Sequence, residues 1–328
     1  MKVLVTGGLG FIGSNFILRS LLNNPDWEIT NLDAMLYGSH KNNLIEIENN
    51  QNYKFVKGNI SDFELMKKII SENDAVINFA AESFVDRSIL EAKPFLESNV
   101  NGVFTILEVL KNTDKKFLHV STDEVYGSLT NGSAKEDSKF NPSSPYSATK
   151  ASAELLVNAY QKTYDCNCLI TRCTNNYGPR QFPEKFIPKS IISAELNKKI
   201  PVYGTGKNIR DWLFVDDHCD AILDVFKKGE IGKSYNISAN NEIDNLTIVN
   251  KILSIMDKST DLLEFVEDRP GHDFRYSMDS SLIRNEIDWS PKVDFEKGLE
   301  KTIQWYLNNK EWWSKLFSVI SDNTPWKK

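Results

Sequence analysis

Histidine and cysteine are scarce in this chain, with four of each among 328 residues. The four cysteines (Cys166, Cys168, Cys173 and Cys219) include no C-x₂-C pair of the kind that clasps zinc across a turn. The stretch 166–173 reads as a strand, in which Cys166 and Cys168 share a face and Cys173 points to the other. Free thiols are expected, with no disulfide and no metal. A long basic run is also missing. Lys and Arg number 39 against 45 Asp and Glu, for a formal charge of −6, which argues against nucleic acid or an anionic membrane as a partner. No apolar stretch approaches the roughly 20 residues of a membrane span. Val3-Leu4-Val5 gives way to Gly7-Gly8 too soon for the apolar core of a signal peptide. The expectation is a soluble, cytoplasmic protein. Apolar residues make up 41% of the chain and charged residues 26%, so a sizeable core is possible and disorder is excluded.

The first half alternates short apolar runs at 2–6, 27–32, 53–57, 75–79, 117–121 and 168–173 with helical patterns near 12–23, 62–72, 99–112 and 147–164. That rhythm predicts βαβ units and a parallel sheet. After residue 174 it breaks at Tyr177-Gly178-Pro179 and at Tyr203-Gly204-Thr205-Gly206. Two separate amphipathic helices follow at 247–257 and 296–309. The expected fold is α/β: a Rossmann-like, doubly wound parallel sheet with a smaller, discontinuous C-terminal lobe. Residues 1–174 and 208–237 are assigned to a cofactor domain, and 175–207 and 238–328 to a substrate domain.

Gly8-x-Gly10-x-x-Gly13 follows the first strand and opens the first helix, with Gly7 just before it. A loop of this kind lets the backbone approach a pyrophosphate whose charge sits at the helix N-terminus. Asp33 closes the second strand, where a carboxylate accepts hydrogen bonds from ribose hydroxyls and repels a 2′-phosphate. NAD is therefore favoured over NADP. Tyr146-Ser-Ala-Thr-Lys150 sets a phenol and an ammonium four residues apart on one helix face. Half-ionising a phenol at pH 7 takes about 4 kcal/mol. Lys150 and an oxidised nicotinamide ring are the two sources of that stabilisation.

Thr6-Gly7-Gly8-x-Gly10-Phe11-Ile12-Gly13 together with Tyr146-x-x-x-Lys150 resembles the extended short-chain dehydrogenase/reductase superfamily over essentially the whole chain. The resemblance implies that Tyr146 takes a proton from a sugar hydroxyl while hydride passes to NAD. It also implies that Lys150 binds the nicotinamide ribose, and that Thr122 completes the group. The implied cofactor contacts are Gly7, Gly10, Phe11, Ile12, Gly13 and Asp33, then Asn59, Ile60, Ala80, Ala81 and Ser83, with Asn99, Tyr146, Lys150 and Asn176.

Ser121-Thr122-Asp123-Glu124 ends the fifth strand, at the carboxyl edge where open α/β sheets bind ligands. Adjacent carboxyl groups there suit an elimination, one as acid on a leaving hydroxyl and the other as base on a carbon-bound proton. With this motif the chain is most similar to the nucleotide-sugar 4,6-dehydratases, and to their dTDP-glucose branch. The implied reaction oxidises C4, eliminates water across C5 and C6 with Glu124 as base and Asp123 as acid, and returns hydride to C6. The implied ligand is a nucleotide-diphosphate sugar. Ser83, Thr122, Asn175, Lys185, Phe186, Pro201, Tyr203, Arg210, Asn245, Arg269 and His272 would surround it.

Arg210 and Arg269 suit phosphate oxygens and Tyr203 suits a base, while Trp212 is expected in the core. Two positions depart from the family: Phe84 stands where histidine is usual, and Asn59 where aspartate is usual. Asn59 retains an acceptor for the adenine amino group. The helices at 99–112 and 147–164 resemble the family's dimer-forming pair, so a homodimer is expected. The terminal tryptophans Trp312, Trp313 and Trp326 are expected to pack a last helix onto the substrate lobe. An epimerase or decarboxylase on the same scaffold would use the Tyr-Lys pair without needing Asp123-Glu124. A non-catalytic NAD sensor would need neither pair.

Overall fold

Parallel neighbours must be joined by long crossovers, and helices filling those crossovers cover both faces of the sheet. The computed structural model describes residues 1–318. Its first six strands are β1 Lys2–Thr6, β2 Glu28–Asp33, β3 Tyr53–Lys57, β4 Ala75–Asn78, β5 Lys116–Thr122 and β6 Cys168–Cys173. Six shorter ones follow: β7 Asn175–Tyr177, β8 Ile200–Tyr203, β9 Ile209–Phe214, β10 Ser234–Ile237, β11 Glu242–Asp244 and β12 Leu263–Val266. Seven strands form one parallel sheet in the order β10-β6-β5-β4-β1-β2-β3. This is a Rossmann-like doubly wound sheet whose strand order reverses beside β1.

Residue alternation along the strands explains the two layers. Leu4, Leu32, Val76, Phe117 and Ile170 face one buried cluster, while Val3, Val5, Ile77, Leu118 and Leu169 face the other. Cys166 and Cys168 fall in the first cluster and Cys173 in the second, and all four cysteines are buried free thiols. Among the described residues no cluster of His, Cys, Asp and Glu is arranged to hold a metal. No described helix is long and apolar enough to cross a membrane.

Past β6 the chain builds two small sheets, β11-β9-β7 and β12-β8. A third core of Tyr177, Trp212, Phe214, Ile248, Leu299 and Trp313 lies against the first, while Ile200 of the second joins Ala194, Val249 and Leu253 in a separate cluster. Within 208–237, β9 pairs with β7 and β11, while β10 joins the large sheet. The chain thus crosses between the two layers at the start of the helix Val215–Lys228. Trp313 is buried in the third core and Trp312 donates from its indole to Asn43 Oδ1 at 2.9 Å. The last described helix therefore touches both parts; Trp326 lies outside the described residues.

Local signals place the helices that matter for the site. Ser144 caps the helix Pro145–Tyr164 through a reciprocal capping box with Ser147, and proline occupies the first turn. The helix therefore starts before the expected 147 and includes Tyr146. The expected 99–112 helix is Gly102–Leu110 preceded by a wide turn, Leu96–Asn101, with five-residue hydrogen bonding. Asp244 and Asp294 cap the helices Asn245–Ile255 and Phe295–Asn308.

Candidate functional site

The glycine loop is shaped by close backbone approach. Gly7 has φ +72°, and a Cβ there would sit 2.5 Å from the backbone nitrogen of Ala80. A Cβ on Gly13 would sit 2.5 Å from the Gly7 carbonyl oxygen, so the helix can pack on the loop only with glycine. At Gly10 the nearest obstacle is that same carbonyl at 3.3 Å, which leaves the cavity side open. Asp33 accepts from the Leu9 and Met35 amides at 2.9 and 2.7 Å, one on each oxygen. Burial pushes its pKa up and those two amides oppose the rise. Each carboxylate oxygen keeps a lone pair for a further donor. Backbone cradle, helix N-terminus and oriented carboxylate together fit a dinucleotide.

Ile60, Ala80, Ala81, Ser83, Phe11, Ile12 and Asn59 line the same cavity. Three expected contacts are placed differently. Asn59 Oδ1 already accepts from the Ser61 amide at 2.9 Å, so one lone pair of the proposed adenine acceptor is occupied. Asn99 does not line the cavity. It is buried behind the 80–84 loop, where its amide bonds the Glu82 N–H and C=O at 2.8 and 3.0 Å and Thr149 Oγ1 at 3.0 Å. That pairing orients the loop from behind. Asn176 lines the cavity, but its side chain spends Nδ2 on the Thr174 carbonyl and pairs Oδ1 with His218 Nδ1.

Thr122, Asp123, Glu124, Tyr146 and Lys150 line this cavity together. The β5 end delivers the first three, and the helix that crosses behind it delivers the others. Lys150 Nζ donates to the Val120 carbonyl at 2.8 Å and lies 3.4 Å from His119 Nε2. His119 in turn meets Asn78 at 3.1 Å, and Asn78 accepts from Thr6 at 2.5 Å. Nothing local in the chain announces this buried string, because its members lie on four separate elements. Burial pushes Lys150 down to about 8. Tyr146 is driven well above the ordinary phenol value by burial, then by the charges of Glu124 and Cys173, with the Thr122 hydroxyl opposing. In the protein by itself burial thus outweighs any lowering of Tyr146 by Lys150, and the oxidised nicotinamide ring is the other source of stabilisation expected for the phenolate.

The two carboxyl groups sit in unlike surroundings. Burial, then the Glu124 charge, pushes Asp123 well above the carboxylate range, and its Oδ2 has no partner among the described residues. Burial also raises Glu124, but Arg269, Lys185 and Arg210 pull it back. Both carboxyls are raised, with Arg269 and Lys185 joining Arg210 against the rise at Glu124 and Arg210 acting at Asp123; unequal surroundings of this kind are what separate acid and base roles.

Glu124 also lines a second cavity with Asn175, Lys185, Phe186, Pro201, Tyr203, Arg210, Asn245, Arg269 and His272. Arg210 donates to the carbonyls of Ile209 and Asp273 at 2.7 and 2.8 Å and stacks 4.2 Å above the Tyr276 ring. No described carboxylate pairs with it. Asp86 holds one edge of Arg269 at 2.7 Å, and Arg269 Nε is buried with no partner among the described residues. Lys185 donates to the Ser83 carbonyl at 2.7 Å and lies 4.3 Å over the Phe84 ring. His272 is held by Asp268 at 2.6 Å and is pushed down to about 4, chiefly by burial and then by Arg269 and Arg210, so it is neutral near pH 7. Trp212 is buried in the third core while one edge reaches this cavity. A neutral wall, a buried acid pair and cations without full carboxylate partners make a cleft suited to a diphosphate ester.

A family profile described as GDP-mannose 4,6 dehydratase matches residues 4–302. The dTDP-glucose 4,6-dehydratase of Mycobacterium tuberculosis is 45% identical over 320 residues, which is 96% of each chain. The crystal structure of the dTDP-glucose 4,6-dehydratase of Bacillus anthracis in complex with NAD is 46% identical, covers 96% of this chain and 99% of its own, and superposes with a TM-score of 0.91. That of Streptomyces venezuelae, also with NAD bound, is 41% identical with a TM-score of 0.94, covering 96% of this chain and all of its own.

Proposed function

This chain belongs to the GDP-mannose 4,6 dehydratase family of the extended short-chain dehydrogenase/reductase superfamily, and from that premise we propose the function of the site: an NAD-dependent hydro-lyase that converts dTDP-glucose to dTDP-4-keto-6-deoxyglucose. The observation that carries the reading is the buried Asp123-Glu124 pair beside the junction of the two cavities, with Arg269, Lys185 and Arg210 acting on Glu124.

Gly7, Gly10, Gly13 and Asp33 hold the cofactor, and bound NAD supplies the hydride acceptor for C4 and the hydride donor for C6. Tyr146 acts as the phenolate, favoured by the positive charge of the oxidised nicotinamide ring when NAD is bound and by the Lys150 ammonium. That phenolate receives the proton of the 4-hydroxyl, and the Thr122 hydroxyl fixes it. The ketone at C4 acidifies the C5 proton, which Glu124 removes. Asp123, whose protonated form is favoured by burial and then by the Glu124 charge, gives its proton to the departing 6-hydroxyl. As hydride returns to C6, C5 takes its proton back from Glu124, and the proton gained by Tyr146 replaces the one given up by Asp123. Oxidation at C4 and reduction at C6 cancel, so the net change is the loss of one water. Arg210, Arg269 and Lys185 neutralise the diphosphate, and Tyr203, Asn245 and His272 flank the nucleotide.

The cofactor unit is assigned to 1–174 and 208–237 and the substrate unit to the remainder, with β9 lending its edge to the latter. A homodimer is assigned to the face of the helices at 96–110 and 145–164, where Leu96, Phe104, Leu155 and Tyr164 are exposed; sedimentation at micromolar concentration tests it. The cytoplasm is the assigned compartment, where buried thiols stay reduced.

The decisive experiment incubates the protein with dTDP-, UDP- and CDP-glucose and follows product mass. Loss of one water from dTDP-glucose, faster than from the others, is expected. Formation of the 4-epimer with no loss of water would remove the dehydratase reading.

A further inference from the structure

Six residues line both cavities: Phe84, Glu124, Asn175, Asn176, Gln181 and Lys185. They form the throat through which one ligand must reach from the nicotinamide side to the diphosphate side, so the hexose ring has to sit among them. Gln181 is held at both ends. Its Nε2 donates to the Asn176 carbonyl at 2.8 Å, and its own backbone carbonyl accepts from the Tyr306 hydroxyl. The residue is 8% exposed, and its Oε1 is buried with no partner among the described residues.

Asp123 Oδ2 and Glu124 Oε2 share that condition, and both are assigned to atoms of the hexose. A buried acceptor left unpaired is costly unless a ligand supplies the donor. The two carboxyl groups are committed to proton transfers, and the Asn176 side chain is spent on Thr174 and His218. Phe84 is apolar. Gln181 and Asn175 are the neutral amides that remain in the throat, and of the two only Gln181 has a buried acceptor with no partner among the described residues.

We propose that Gln181 is a further sugar-binding residue, whose Oε1 accepts a hydrogen bond from a ring hydroxyl, at C2 or C3, that the reaction leaves unchanged. The inference rests on the dehydratase reading above.

The test compares dTDP-glucose with its 2-deoxy and 3-deoxy analogues in the wild-type holoenzyme and in Gln181→Met. Wild type is expected to lose about tenfold in kcat/KM on one analogue. The variant is expected to lose about tenfold on the parent sugar and nothing further on that analogue, with NAD retention unchanged. A loss in Gln181→Met that is equal on all three sugars overturns the proposal. Where the variant does not fold, wild type still decides: equal turnover of both analogues and the parent overturns it, and selective loss on one analogue supports it. Failure of wild type to remove water from dTDP-glucose at all would instead be a failure of the dehydratase reading.

Discussion

The cofactor cavity and the substrate cavity meet at Glu124 and are made of different material. Around the glycine loop the walls are backbone: Gly7, Gly10, Gly13 and the Ala80 peptide, with Asp33 held by two amides. Around the second cavity the walls are charged side chains, Arg210, Arg269 and Lys185, buried against carbonyls and rings. A backbone wall discriminates by shape, so its failures are steric. A wall of buried cations with incomplete protein partners holds its charge for a ligand, so its failures are electrostatic. The difference teaches that one half of the cleft can be damaged while the other still binds.

The sharpest test of that separation, and the largest expected effect, is Glu124→Gln. Loss of the general base should slow water elimination by about 10²–10⁴-fold, seen as slowed exchange of the C5 proton with solvent, while NAD co-purifies as before. An equal loss of NAD would merge the two halves. Next comes Gly7→Ala, where φ +72° and the Ala80 peptide leave no room for a Cβ. NAD affinity measured by calorimetry should fall tenfold or more, with dTDP binding nearly unchanged. A fall in both would show that the loop shapes the second cavity too.

A smaller effect concerns pH. Lys150 is pushed down to about 8 by burial, so it is cationic below that pH and neutral above it. The positive charge behind Tyr146 is lost as pH rises, and kcat/KM should decline through about pH 8. A profile flat to pH 9.5 would remove Lys150 from that role. The smallest effect is expected from Phe84→His. Its ring packs 5.0 Å from Tyr37 and 5.7 Å from Phe182, so a few-fold change in kcat/KM for the sugar nucleotide is expected, with NAD binding constant. A tenfold change in NAD affinity would make Phe84 part of the cofactor wall.

Some of this was legible locally. Gly8-x-Gly10-x-x-Gly13 and Asp33 each announce their backbone geometry within a few residues, and Tyr146 and Lys150 are neighbours on a single helix turn. The parts that escaped sequence reasoning join residues far apart. Asn99 was read as a cofactor contact, yet it braces Glu82 from behind. Arg269 was read as suited to phosphate oxygens, and its ion-pair partner Asp86 lies 183 positions earlier, where no local signal could name it. His119 ends up beside Lys150 although nothing in 147–164 points to it. Gln181 has no motif of its own.

By itself the sequence determined the strand and helix rhythm, the glycine loop and the chemical type of each acid and base, because these depend on periodicity and on residues close in the chain. Only the tertiary structure decided which carboxyl has cations around it, which cation is already paired and which polar atom is left without a partner among the described residues. Those properties come from burial and from neighbours on other elements, and burial exists only once the sheet, the lobe and the last helix have closed around the cleft.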